Sequence, residues 1–301
     1  NKGFMISLDK VTDIYTHGGM FHTDDVMSTV LLKELKPNVK VHRVFEVSGK
    51  ARCSNALVYD IGEGEFDHHQ KDVELDSAGN KYSAFGLLWR EFGRQILFKR
   101  GFKHVEEANE YFVENFANKI DFGDNNGYIK VPRFPENEIL TRFRLKWFEG
   151  QGNEKWDEAF NNALIQAKIF FDLWIKDTYN ATDMRYEEDR IWVKAAEKMD
   201  DGVVVLDKPI DWRAANDRNL YPNAKIVVMP DSRGGYAILP VNVMLTKIKE
   251  SPYLGFVHPS GHMGVAENEE KAVRAAKEIT QEDLAVTSIA FIKPYLKCRY
   301  I

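Results

Sequence analysis

The stretch His17-Gly18-Gly19-Met20-Phe21-His22-Thr23-Asp24-Asp25 does most to limit how this chain can fold. It follows a β-prone segment at 14–16 and precedes a helical pattern over 24–35, for which Thr23 can serve as the N-cap. Two imidazoles and a carboxylate are thereby placed in a strand-to-helix loop. Loops of this kind gather at the carboxyl ends of parallel strands, where an α/β sheet opens into a crevice and side chains from separate strands can converge. The pattern recurs downstream. Residues 41–47 are rich in β-branched and aromatic types, and the apolar run 56–61 ends at Asp60 and Gly62, so both read as buried strands. Ser83 can cap a helix in which Phe85, Leu88, Trp89, Phe92 and Ile96 fall at helical spacing, and 105–120 carries a similar amphipathic pattern. Strands alternating with helices predict an α/β fold built on a parallel sheet.

A chain of 301 residues predicts two domains sharing a cleft, with one large domain as the alternative. The concentrated turn residues Gly123-Asp124-Asn125-Asn126-Gly127, followed by Pro132 and Pro135, place a linker near that point. Beyond it, 156–176 and 184–199 read as long helices separated by a polar stretch at 178–183. The last hundred residues return to a mixed pattern, with β-like segments at 203–206, 226–229 and 236–241 and a helix from Asn268 to about Ile279. The expected organisation is therefore a metal-binding catalytic domain over 1–130, a linker and helical segment over 131–200, and a smaller α+β substrate-binding region over 201–301. Neither a repeat of fixed period nor a low-complexity tract is present, which removes solenoids and propellers.

Composition narrows the function by exclusion. A formal net charge of -5 supplies no global basic field for holding long duplex nucleic acid, so an anionic substrate must be gripped locally. The two cysteines, Cys53 and Cys298, have no spacing that suggests zinc or a disulfide framework, which fits a reducing compartment. No apolar run reaches membrane-spanning length, and the start has neither a signal-peptide core nor an Arg-rich transit pattern. A cytoplasmic protein is expected; because the chain begins with Asn1, an organellar address in a missing N-terminal piece is the alternative.

The histidines carry the chemistry. His17 with His22, the pair His68-His69, and His258 with His262 account for six of the eight. Asp60 ends one strand run, and Asp67-His68-His69 begins seven residues later, a combination costly to place in a loop unless it binds something. Any one cluster alone could be an ordinary cap or solvated loop, but three at successive strand ends favour a metal site. Mixed imidazole and carboxylate donors without thiolate suit Mn²⁺, Fe²⁺ or Zn²⁺ better than Ca²⁺, and more than four donors suggest two ions. Asp121 and Asp124 are further candidates, although Asp, Asn and Gly are also what a turn requires. The segment His258-Pro259-Ser260-Gly261-His262-Met263-Gly264 offers backbone amides and imidazoles ahead of a helix, which suits a phosphate or a terminal nucleotide. A glycine-rich turn is the bland reading of the same residues. Arg233, in Asp231-Ser232-Arg233-Gly234-Gly235, can add a phosphate contact or simply belong to a hairpin.

Taken together, His17 to Asp25, Val58-Tyr59-Asp60 with Asp67-His68-His69, Ser83-Ala84-Phe85-Gly86-Leu87-Leu88 and Asp121 to Gly127 resemble the Myg-type (melanocyte proliferating gene product) family of the DHH phosphoesterase superfamily. Trp212, the strand at 237–241, and Phe256 to Gly264 are similar to that family's C-terminal signatures. The resemblance implies a DHH-type parallel-sheet domain with flanking helices and a smaller C-terminal α+β domain. It implies one metal held by His17, His22 and Asp60 and a second held by Asp24, Asp60, His68 and Asp121, with Asp60 bridging and Asp124 as the alternate to Asp121. His69 would sit beside the scissile phosphate and protonate or hydrogen-bond the departing oxygen. The chain departs from the family in having Asp24-Asp25 where Asp-Glu is usual, and Asp124-Asn125-Asn126-Gly127 where Asp-Asn-Gly is usual.

The expected activity is hydrolysis of phosphoesters by a water shared between two divalent ions about 3.5 to 4 Å apart. Mn²⁺ is the first candidate, with Mg²⁺, Zn²⁺ and Fe²⁺ as alternatives. The resemblance points to a 3′ to 5′ exonuclease acting on RNA or short single strands, and the modest charge favours strand ends over long tracts. Small phosphorylated metabolites or dinucleotides are the alternative substrates. A non-catalytic metal-containing binding module, with 156–176 as its partner surface, is the alternative of another class. Competing signatures are absent: there is no Walker A loop and no His-Glu-x-x-His, and Gly62-Glu63-Gly64 lacks the third glycine of a dinucleotide fingerprint.

Overall fold

The computed structural model describes residues 8–70, 74–127 and 134–296, with side chains as far as 282. It divides into two compact units, Asn1–Asp183 and Met184–Ile301.

In the first unit, β1 (Asp13–His17) lies between β2 (Lys40–Val44) and β3 (Ala56–Val58), and both pairings are parallel. The register sets His17 against Val44 and Tyr15 against Val58, so the ends that carry His17 and Asp60 face the same way. Helix α1 (Thr23–Leu35) follows β1 and is buried from Thr23 through Leu32. Its sequence permits this, because no long charged side chain occurs before Lys33. It packs against α2 (Ala84–Lys99) and against α6 (Asn153–Tyr179). The helix begins at Thr23, with His22 at the N-cap, because the Asp25 carboxylate accepts the His22 N–H at 2.8 Å. The Thr23 hydroxyl, expected to cap, donates instead to Asn137 Oδ1. Ser83 caps α2 as expected, its Oγ accepting from the Gly86 N–H.

After α3 (Val105–Phe112), a π-helical turn at Val113–Ala117 runs into α4 (Asn118–Asn126). The Gly-Asp-Asn-Asn segment expected to form a loop is therefore helical. The Asn125 and Asn126 side-chain amides donate to the carbonyls of Asp121 and Phe122, four residues back, and Gly127 at φ +75 ends the helix. This matters because it lays Asp121 and Asp124 three residues apart on one helix.

Phe134, Leu140, Trp156, Phe160, Phe171 and Trp174 share one core with Phe21, Trp89 and Phe112, so α5 (Pro135–Thr141) and α6 are part of the first unit. The boundary between the two units falls at 183/184, whereas the sequence pattern predicts segments 1–130, 131–200 and 201–301. The polar stretch 178–183 does not break the helix. Thr178 and Thr182 hydroxyls donate to carbonyls four residues back, and a π-helical turn at Asn180–Met184 leads into α7 (Arg185–Ala196).

The second unit is a five-stranded mixed sheet of β4 (Val203–Val205), β5 (Ile226–Pro230), β6 (Tyr236–Pro240), β7 (Phe256–Val257) and β8 (Gly264–Ala266), in the order β4-β5-β6-β8-β7. Only β4 and β5 pair in parallel. The period-two pattern is explicit in its two cores. Val204, Val227, Ala237 and Leu239 pack with Trp192 of α7 and with Trp212 of α8 (Trp212–Arg218), whereas Val203, Ile226, Val228 and Ile238 pack with Ala272, Ala275, Ala276 and Ile279 of α9 (Glu269–Leu296). The chain is thus α/β, with a parallel-sheet unit followed by a smaller α+β unit. Among the described residues, no helix is long and apolar enough to cross a membrane.

Candidate metal centre

Asp60 is the pivot of the site. The backbone leaves β3 through Tyr59, whose N–H bonds the Tyr15 carbonyl, and Asp60 then turns into the left-handed region at φ +57. A non-glycine residue there is strained by about 1–2 kcal/mol. The turn sets the two carboxylate oxygens between two imidazoles: Oδ2 is 3.2 Å from His17 Nε2, and Oδ1 is 3.0 Å from His68 Nε2. His17 Nε2 also lies 3.1 Å from Asp25 Oδ2. His68 Nε2 lies 3.3 Å from Asp124 Oδ2 and 3.8 Å from Asp24 Oδ2. Three sets of donor atoms therefore converge: His17 with Asp25 and Asp60, Asp24 with His68 and Asp124, and Asp60 with His68 and His69.

The residues present fit bound divalent ions. Both oxygens of Asp24, Oδ2 of Asp25 and Oδ1 of Asp60 are buried without a well-aligned hydrogen-bond donor. Buried carboxylate oxygens left in this state are costly unless a cation takes them. The electrostatics agree. Burial, and then the neighbouring Asp60, Asp124 and Asp25 carboxylates, hold the Asp24 carboxyl well above the usual range. Burial also raises Asp124. Burial opposes charge on both His17 and Asp60, yet their mutual pairing prevails: His17 is pushed up to about 10 by Asp25 and Asp60, and Asp60 is held at about 2 by His17 and His68. Burial lowers His22, which favours the neutral imidazole that a metal ligand needs.

His69 is placed differently. Its Nδ1 is 2.8 Å from Asp67 Oδ1, which also accepts the His69 N–H, while Oδ2 of Asp67 accepts the Glu63 N–H. The hydrogen bond that His69 donates to Asp67 raises the His69 pKa, and the ring is 61% exposed. An open cavity of about 1010 Å³ is lined by His17, His22, Asp60, His68, His69 and Asp124, with Lys81 and Arg144 also in its wall.

The sequence-derived candidates separate into three groups. His17, His22, Asp24, Asp60, His68 and His69 are gathered at the strand ends. Asp121 is set behind them: its Oδ1 accepts the Ser83 N–H at 2.9 Å and the Ser83 Oγ–H at 2.6 Å, and burial raises its pKa to about 7. A Cβ on Gly86 would collide with this carboxylate, so the glycine is what lets α2 accept it. Asp124 lies one helical turn on, beside His68. The third group lies in the second unit. His258 Nδ1, Ser260 Oγ and His262 Nδ1 are linked at 3.0 and 2.7 Å within the turn between β7 and β8, where Gly261 adopts φ +73. That turn leads directly into β8, and α9 begins only after that strand. Arg233 is paired with Asp231 in its own hairpin, its Nε 3.0 Å from Oδ1.

Two residues of the site were not singled out by sequence. Asp25 was read as a neighbour of Asp24, although Asp at the third position of a helix signals a reach back to the N-cap. Arg43, at the end of β2, donates to the Gly19 carbonyl at 2.7 Å and to Asp157 at 2.9 Å and lies 4.3 Å over the Phe160 ring, pinning the loop between His17 and His22. No local signal marks it, because its partners are distant in sequence.

Comparison with known proteins bears on this arrangement. A relative called MYG1 protein C27H6.8, from Caenorhabditis elegans, is 27% identical over 50% of this chain and 48% of its own length. The mouse protein called MYG1 exonuclease is 26% identical over 50% of the chain and 46% of its own length. The chain thus spans about half the length of these two relatives. The Saccharomyces cerevisiae MYG1 protein YER156C is 22% identical over 88% of the chain and 94% of its own length. The model of the family MYG1_exonuc, described as an uncharacterised protein family (UPF0160), matches residues 13–250, which include every residue of the candidate metal centre, and the chain belongs to that family.

Proposed function

We propose that this chain is a metal-dependent phosphodiesterase that removes nucleotides from the 3′ end of RNA or short single-stranded nucleic acid, using two divalent ions, Mn²⁺ foremost. One observation carries the reading: Asp60, strained and buried, offers one oxygen to each of two donor sets at the carboxyl ends of parallel strands. The name of the mouse relative supports the choice of an exonuclease among phosphoesterases.

In this reading His17, His22 and Asp25 would hold one ion together with Asp60, and Asp24, His68 and Asp124 would hold the other, with Asp121 supporting from behind through Ser83. Bound divalent ions supply the positive charge that activates a water and offsets charge on the phosphate during in-line displacement. The chain's own residues do the rest. Asp67 takes the Nδ1–H of His69 and leaves Nε2 to carry the proton given to the departing oxygen. Lys81 and Arg144, in the cavity wall, neutralise phosphate oxygens not held elsewhere. The His258-Ser260-His262 turn, with Gly261 shaping it and Arg233 as a further cation, is the second unit's candidate for a substrate contact.

The test is incubation of metal-stripped protein with a 3′-labelled short RNA, a short DNA and a dinucleotide, each with and without Mn²⁺, alongside Asp60→Ala. Stepwise nucleotide release requiring both Mn²⁺ and Asp60 is the expected result. Turnover of the dinucleotide alone would move the assignment to small phosphoesters. No turnover by protein that binds two metals would leave a binding role and overturn the proposal.

A further inference from the structure

The segment that follows α5 joins the metal cavity to an exposed aromatic pair. From Arg142 to Lys146 the sequence alternates cation and apolar residue: Arg142-Phe143-Arg144-Leu145-Lys146. Phe143 and Leu145 pack against the core of the first unit, while Arg142 and Lys146 are exposed. The segment leaves α5 through a tight turn, in which the Arg142, Phe143 and Arg144 N–H groups bond carbonyls three residues back, and its apolar residues anchor it while Arg142 and Lys146 stay on the surface. Arg144 reaches the cavity wall beside His22, whose ionisation it disfavours. Immediately beyond comes Trp147-Phe148, with Trp147 87% and Phe148 69% exposed. Their rings meet edge to face, with centroids 5.8 Å apart at 87°, so each keeps an open face. A short 3₁₀ turn at Trp147–Glu149 fixes the pair: Glu149 Oε2 accepts the Lys146 N–H at 2.6 Å, and Lys155 Nζ donates to the Glu149 carbonyl. Trp147 is three residues on from Arg144, so its Cα lies within about 11 Å of that cavity residue's Cα.

We infer that Trp147 and Phe148 form a stacking platform for the nucleotides that trail the scissile end of a single-stranded nucleic acid, with Arg142, Arg144 and Lys146 tracking its phosphates into the cavity. The inference rests on the nuclease reading above for the identity of the strand. Every base has a π face, so two exposed rings beside a run of cations bind a single strand without reading its sequence. A chain of net charge -5 that nonetheless sets three cations within five residues, next to its cavity, concentrates its attraction for an anion there. A duplex would not fit this chemistry, because its base faces are already stacked.

Binding is measured in EDTA, so that it does not depend on turnover, by titrating fluorescently labelled single strands of two, five and about ten nucleotides into the full chain and into the Trp147→Ala, Phe148→Ala double variant. Circular dichroism checks that the variant is folded. Affinity of the native chain should rise with strand length, and the double variant should lose that rise, binding the longest strand about tenfold or more weakly. Quenching of tryptophan fluorescence by the strand should shrink in Trp147→Phe, while Trp147→Phe retains most of the affinity because a stacking face remains. Equal affinity of native and doubly substituted chains for the longest strand would overturn the platform, whatever the outcome of the hydrolysis experiment. Failure of hydrolysis with the length-dependent binding intact would instead sink the nuclease reading and leave the platform standing. If the native chain self-associates in sedimentation, the double variant does not, and strand affinity is unchanged, the pair is a contact between copies and the inference is overturned.

Discussion

At the scale of single residues, the site keeps more carboxylate in its core than its own cations can neutralise. Asp24 is the clearest case, since both of its oxygens are buried without a well-aligned donor, and burial together with three other carboxylates raises its pKa. Asp24→Asn should therefore stabilise the metal-free protein, by about 1 kcal/mol or more, while removing most of the stabilisation that Mn²⁺ provides. Thermal unfolding in EDTA and in Mn²⁺ measures both, and a destabilised metal-free variant would contradict the argument. Asp121 and Asp124 should part company in the same experiment. Loss of the Asp121 side chain strands the Ser83 N–H and hydroxyl, so Asp121→Ala should cost about 1–3 kcal/mol of folding stability. Asp124→Ala should leave folding stability nearly unchanged and lower the number of bound metals, as read by elemental analysis after gel filtration. Equal metal content in Asp124→Ala and the native protein would remove Asp124 from the ligand set.

Among the elements, β2 governs a loop it does not belong to. Arg43 uses its guanidinium fork on Gly19 and Asp157 together, and its face on Phe160, tying β2 and the loop after β1 to α6. Lysine preserves the charge but cannot make two directed bonds and a stack at once. Arg43→Lys is accordingly expected to weaken Mn²⁺ binding about tenfold, with the secondary structure retained, as followed by isothermal titration calorimetry and circular dichroism. Unaltered Mn²⁺ affinity would show that the His17–His22 loop holds its shape without the clamp.

For the whole molecule, the two units have separate cores, and the candidate ligands all belong to one of them. Heat unfolding should resolve two transitions, of which Mn²⁺ raises only one. The pH dependence of that transition has a definite sign. Asp121 is raised from 3.8 to about 7 and His17 from 6.5 to about 10. A group whose pKa is raised by folding contributes stability that is present below its unfolded pKa and lost as pH rises through the folded value. The metal-free first unit should thus weaken from about pH 4 to about pH 10, first through Asp121 and then through His17, and the increment due to Mn²⁺, which displaces the protons, should grow over the same range. Asp60, depressed to about 2, acts in the other direction only in acid, its contribution disappearing as pH falls below 3.8. A metal-free stability that rises between about pH 5 and about pH 8 would refute this account.

What could be read from sequence was local or periodic. Alternating strands and helices, the cap at Ser83, and the clustering of His17, His22, Asp60, His68 and His69 at strand ends are set by nearest neighbours and by the periods of the backbone, and they stand where those signals put them. The helix at Asn118–Asn126 was hidden because Asn and Gly favour turns locally, and only side-chain bonds to carbonyls one turn back, made within a packed core, hold them helical. The pairing of Asp121 with Ser83 was equally closed to sequence, since it needs Ser83 to arrive from α2 with Gly86 leaving room. Arg43 and Asp157 meet across 114 positions, and no short-range pattern encodes a contact of that separation. Sequence by itself determined which residue types stand at which strand ends; the tertiary structure decided which of their oxygens and nitrogens face one another, because that depends on contacts made only when distant segments pack.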